Sequence, residues 1–104
     1  MVKRIYIAGP MSHYPGHNYD SFRETEVLLQ RAGFETENPA APDDTLDDVR
    51  PWAYYMRRAL HQLADCDGVA LLDGWEASRG ARLEVHVAHA LGMPTLPLKL
   101  WLTS

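Results

Sequence analysis

Residues Asp67 to Leu72 read Asp-Gly-Val-Ala-Leu-Leu, an apolar run with no alternation between inward and outward positions. A strand with one wet face alternates, so a run of this kind belongs to a strand covered on both sides. Such cover comes from helices above and below a sheet of parallel strands joined by crossovers. The rest of the chain supplies the parts. Lys3 to Ala8 is apolar, aromatic and β-branched and stops at Gly9-Pro10, which predicts a central first strand running into a loop. A helix is expected from Tyr19 or Asp20, with Phe22, Val27, Leu28 and Leu29 as its apolar face and Arg31-Ala32-Gly33 as its stop. Phe34 to Asn38 predicts a second strand. Pro51 to Ala64 predicts a second helix with Trp52, Met56, Leu60 and Leu63 on one side. Arg79 to Leu91 predicts a third, stopped by Gly92, and Thr95 to Leu100 a last strand. The order implies an α/β, Rossmann-like (flavodoxin-like) parallel sheet of about four to five strands, helices on both faces and right-handed crossovers.

The length allows one such domain, spanning 1–104, and little decoration. A core this small gains from association, so a homo-oligomer is expected. A formal net charge of −4 argues against a partner made of polymeric nucleic acid. The apolar stretch at the N-terminus is too short for a signal peptide or a membrane span, and no membrane partner is expected. The single cysteine, Cys66, excludes an internal disulfide and sits in an apolar run, where it reads as a buried small side chain. Both features suit a cytoplasmic protein. The loop from Ala40 to Arg50, with Asp43, Asp44, Asp47 and Asp48, reads as solvated rather than as a metal site. His86 and His89 have a spacing that can bind metal, but no further ligand lies nearby in sequence, and helix-surface histidines are the simpler reading. No metal is expected. Trp52 reads as core, and Trp75 as interface packing or a stacking platform.

In open α/β sheets ligands bind beyond the carboxyl ends of the strands, where strand order reverses. This brings together two loops, Gly9 to Asn18 and Asp73 to Gly80. Gly9-Pro10-Met11-Ser12 lacks the second and third glycines of a dinucleotide fingerprint, so no nicotinamide cofactor is expected. Ser78 stands where the third helix starts. It reads either as a plain N-cap or as one wall of an anion site, with Gly80 admitting a ligand close to the backbone. Glu84 shares a helix face with Ala81, Val85 and Ala88, which turns a carboxylate toward the sheet. It reads either as a nucleophile or base beside a pocket, or as a carboxylate paired with Arg82 or a residue one turn away.

The string Tyr6-Ile7-Ala8-Gly9-Pro10-Met11-Ser12, with Asn18, Phe22, Asn38-Pro39, Trp52, Tyr55-Met56-Arg57, Asp67 and Gly74-Trp75-Glu76-x-Ser78-Arg79-Gly80-Ala81-x-x-Glu84, resembles the nucleoside 2-deoxyribosyltransferase-like superfamily. More narrowly it resembles the small DUF4406 domains of bacteria and bacteriophages. The resemblance covers nearly the whole chain. It implies that Glu84 is a catalytic nucleophile attacking the anomeric carbon of a sugar, releasing the base as a retaining glycosidase does. It also implies that Ser78, where transferases on free nucleosides carry an acid, binds a 5′-phosphate with Arg79 and Gly80. Gly9, Pro10 and Met11 would line the sugar side, Asp73 would touch the ligand, and Asn18 would anchor the loop or touch the ligand. The expected activity is an N-glycosidase on a nucleoside 5′-monophosphate, without cofactor.

One departure stands out. The resemblance implies an aspartate, which relatives usually carry about eight residues before the position of Asp67, where this chain has Ala59. Either Asp73, His13 or His17 handles the proton of the leaving base, or the protein binds nucleotides without turning them over. A nucleoside deoxyribosyltransferase is the remaining alternative.

Overall fold

The structure, a computed structural model, describes residues 2–40 and 50–103. The acidic loop residues Asp43, Asp44, Asp47 and Asp48 lie outside them. Four strands, β1 (Arg4–Ala8), β2 (Glu35–Glu37), β3 (Gly68–Leu71) and β4 (Thr95–Pro97), form one parallel sheet in the order β2-β1-β3-β4. The register places Tyr6 beside Val69, and Ala70 beside Leu96. Between the strands run α1 (Tyr19–Arg31), α2 (Trp52–Ala64) and α3 (Arg79–Ala90), and a short α4 (Leu98–Leu102) follows β4. From β1 the chain moves outward to β2, then returns past β1 to β3. The reversal point therefore lies between β1 and β3.

Strand periodicity divides the core in two. Tyr6, Ala8, Val69 and Leu71 face one side, where Leu63 of α2 and Val85 and Ala88 of α3 cover them. Ile5, Ile7, Ala70 and Leu72 face the other, under Phe22 and Leu29 of α1 and Trp101 of α4. All four residues of β3 are buried, as its unalternating sequence predicts. Cys66 is buried too, and burial pushes its thiol up to about 12.

Three expectations are corrected. The last strand stops at Pro97, which has no N–H for a ladder and instead leads into α4; Leu98 and Trp101, three apart, then turn inward. The indole N–H of Trp101 donates to the Val69 carbonyl at 2.9 Å, and its ring meets Phe34 edge-on. Trp52 is 38% exposed and is not core; Ala59, with Met56 and Leu63, occupies the inner face of α2. On α1 the buried positions are Phe22, Thr25 and Leu29, because the true stripe follows spacings of three and four through a threonine. Among the described residues no helix is long and apolar enough to cross a membrane.

Candidate functional site

Glu84 lies in the first half of α3 and is 6% exposed, flanked by buried Ala81, Val85 and Ala88. Among the described residues its hydrogen-bond partner is neither Arg82 nor a neighbour one turn away. It is Tyr6, whose phenolic O–H donates to Oε2 from the middle of β1. Burial raises the Glu84 carboxyl to about 7, and the Tyr6 hydrogen bond partly opposes that rise. Tyr6 is held well above its ordinary range, first by burial and then by the Glu84 charge, so the phenol keeps its proton and acts as donor.

The carboxylate lies in the wall of a cavity of about 500 Å³ at the carboxyl end of β1, between the start of α1, α2 and the start of α3. That volume is typical of small-molecule sites, roughly 300–1,000 Å³. Gly9, Met11, Ser78 and Gly80 line it with Glu84. Gly9 must be glycine for packing: a Cβ there would come within 2.7 Å of the Leu72 Cβ. Gly80 lets α3 approach α2, since its Cβ would meet the Met56 sulfur at 3.1 Å. Ser78 caps α3, its Oγ accepting from the Ala81 N–H at 3.2 Å.

The other expected residues lie apart from this lining. Pro10 is buried and its carbonyl accepts from the Asn18 side chain at 2.9 Å, so Asn18 anchors the first loop. The Arg79 guanidinium lies 3.7 Å from the centre of the ring of Trp52, which lines the cavity, while Arg79 itself is not in the lining. Asp73 is exposed and lines a separate hollow on the α1 and α4 side, with Asn18, Leu98 and Lys99. Trp75 packs against the core on the α2 and α3 side. His86 and His89 are exposed, and His89 Nε2 is 2.8 Å from Thr95 Oγ1. Among the described residues no cluster of three or more His, Cys, Asp or Glu is placed to hold a metal ion.

Tyr55 lines the cavity as well, together with Arg50, Arg58 and Gln62, which sequence reasoning passed over. Arg50 and Arg58 both lie over the Tyr54 ring, at 4.6 and 5.8 Å. Tyr6 had a readable signal, because a phenol in the middle of a buried strand must find a partner for its hydroxyl. The first loop carries backbone strain. Gly16, His17 and Asn18 are left-handed in succession, with φ of 58°, 53° and 62°, and His13 is left-handed at 69°. For a residue with a Cβ this costs roughly 1–2 kcal/mol. The loop is held by the Asn18 anchor and by the His17 N–H, which donates to the Tyr14 carbonyl at 3.0 Å.

Fold and site together define a small doubly wound α/β domain with a buried carboxylate in the cavity at its reversal point. The chain belongs to the family described as Domain of unknown function (DUF4406), whose model matches residues 3–96. No curated protein matches it.

Proposed function

We propose that this chain is an N-glycosidase of the nucleoside 2-deoxyribosyltransferase-like type, releasing the base from a nucleoside 5′-monophosphate with Glu84 as nucleophile. The observation that carries the reading is Glu84 itself, a carboxylate buried in the wall of a ligand-sized cavity and oriented by the Tyr6 hydroxyl. Attack by Glu84 on the anomeric carbon forms an ester while the C–N bond breaks, its electron pair leaving with the base. Water then attacks the same carbon and frees the carboxylate.

The phosphate preference has its own support. Ser78 uses a lone pair to cap α3, which leaves its hydroxyl proton to donate to a phosphate oxygen beside the first-turn amides of the helix. Ser78 and Glu84 are six positions apart, roughly 9 Å along a helix axis, which leaves room for a sugar between anion site and carboxylate.

Incubation with a panel of ribo- and deoxyribonucleoside 5′-monophosphates tests the reading, with free base measured by chromatography. Release by the native protein and its loss in Glu84→Gln is the expected result; no release from any nucleotide at high protein concentration overturns it. A second reading is binding without turnover, favoured by Ala59, which lines the cavity with a methyl group that can neither hold a hydroxyl nor move a proton. Under that reading nucleotide binds, Glu84→Gln leaves affinity unchanged and product never forms. Base exchange on addition of an acceptor base would instead indicate a transferase.

A further inference from the structure

Breaking a glycosidic C–N bond leaves an electron pair on the base, and most bases depart slowly unless a proton meets it. Glu84 as nucleophile must be unprotonated and cannot supply that proton. The remaining titratable side chains among the described lining residues are His17, Tyr19, Arg50, Tyr55 and Arg58. A guanidinium does not give up its proton in a protein, and a phenol is a weak acid near neutrality. An imidazole both gives and takes a proton there. Ala59 offers none. Of the three groups that the sequence leaves open for the task, Asp73 faces the other hollow and His13 is not in the lining.

His17 is also held in an unusual way. It occupies left-handed backbone between two other left-handed residues, fixed from one side by its own N–H on Tyr14 and from the other by Asn18 on Pro10. A side chain with a Cβ at such a position is disfavoured on conformational grounds, and strained residues of this kind gather at functional sites. Glycine, already present next door at Gly16, would satisfy the backbone without strain.

We infer that His17 is the general acid that protonates the departing base, an assignment that rests on reading Glu84 as the nucleophile. In the first step the His17 imidazolium gives its proton to the base as the C–N bond breaks and the Glu84–sugar ester forms. In the second, neutral His17 takes a proton from the water that attacks the ester, which restores both groups. The sum is nucleotide plus water to free base plus sugar 5-phosphate.

Two variants separate chemistry from backbone. His17→Asn keeps a residue that tolerates left-handed conformation, and His17→Gly removes the strain. Each is assayed on the nucleotide that the native protein cleaves and on its activated counterpart, methylated at N7 for a purine or fluorinated at C5 for a pyrimidine, whose base leaves with less help. The expected result is a loss of about 10²–10⁴-fold in kcat on the ordinary nucleotide for both variants, a clearly smaller loss on the activated one, and partial rescue of His17→Gly by added imidazole. Equal losses on the two substrates, or no loss, overturn the assignment while leaving Glu84 as nucleophile intact. Absence of base release by the native protein overturns both.

Discussion

The hydroxyl of Tyr6 donates to the carboxylate of Glu84 across 78 positions of sequence, joining the central strand to the third helix inside the core. The bond has two consequences. It fixes the direction of the carboxylate, and it holds the pKa of that group below where burial alone would take it.

Removing the donor in Tyr6→Phe therefore raises the Glu84 pKa further. If base release needs the carboxylate, its acid limb moves to higher pH by about one to two units, the worth of a hydrogen bond to a charged group. A pH–rate profile with an unmoved acid limb would count against the link.

Glu84 also weighs on stability in a pH-dependent way. Its folded value of about 7 exceeds the ordinary 4.5, so the fold binds the proton more tightly than the unfolded chain does. The contribution is fully present below the unfolded value and is lost as pH rises through the folded one, a change of roughly 3 kcal/mol. Glu84→Gln, neutral at every pH, should match the native protein in denaturant melts in mild acid and exceed its stability in mild alkali. Equal stability at both ends would show that the buried carboxylate is better solvated than its surroundings suggest.

Ser78 has a capping role and a proposed anion-binding role, and two substitutions part them. Ser78→Ala loses the cap, about 1 kcal/mol, and weakens nucleotide binding. Ser78→Asp keeps a capping oxygen but places negative charge beside the phosphate. It should preserve the melting temperature while lowering affinity for a nucleoside monophosphate far more than for the nucleoside, as titration calorimetry would read.

At the opposite end of β3, a Cβ on Gly68 would lie 2.7 Å from the Trp101 ring. Gly68→Ala should destabilise by about 1–3 kcal/mol. The cost should shrink when Trp101→Phe is made first, and additivity of the two changes in a double-mutant cycle would contradict the packing.

Much of this arrangement could be read before the structure. The unalternating run before Leu72 specifies a doubly covered strand, and the small residues around Glu84 specify an inward carboxylate. Both rest on periodicity, which local sequence carries. Asp73 shows the limit: strand logic says that it leaves the carboxyl end of β3, yet a left-handed Gly74, φ 85°, follows it, and the aspartate lies on the far side of the sheet from Glu84. Sequence indicates the end of a sheet more readily than the face. The misread Trp52 has a similar cause, since an aromatic ring on the apolar side of a helix fits a core or a cavity wall equally well, and here it is 38% exposed and lines the cavity. Arg50 and Arg58 are not legible as lining residues, because a charged side chain outside the apolar stripe carries no period.

The family match ends at residue 96, yet Trp101 closes one side of the core from beyond it. Trimming the chain to the shared span would leave the Val69 carbonyl without its indole donor and strip Phe34 of its aromatic partner. The stretch that the family shares and the stretch that encloses the core are therefore different lengths of the same chain.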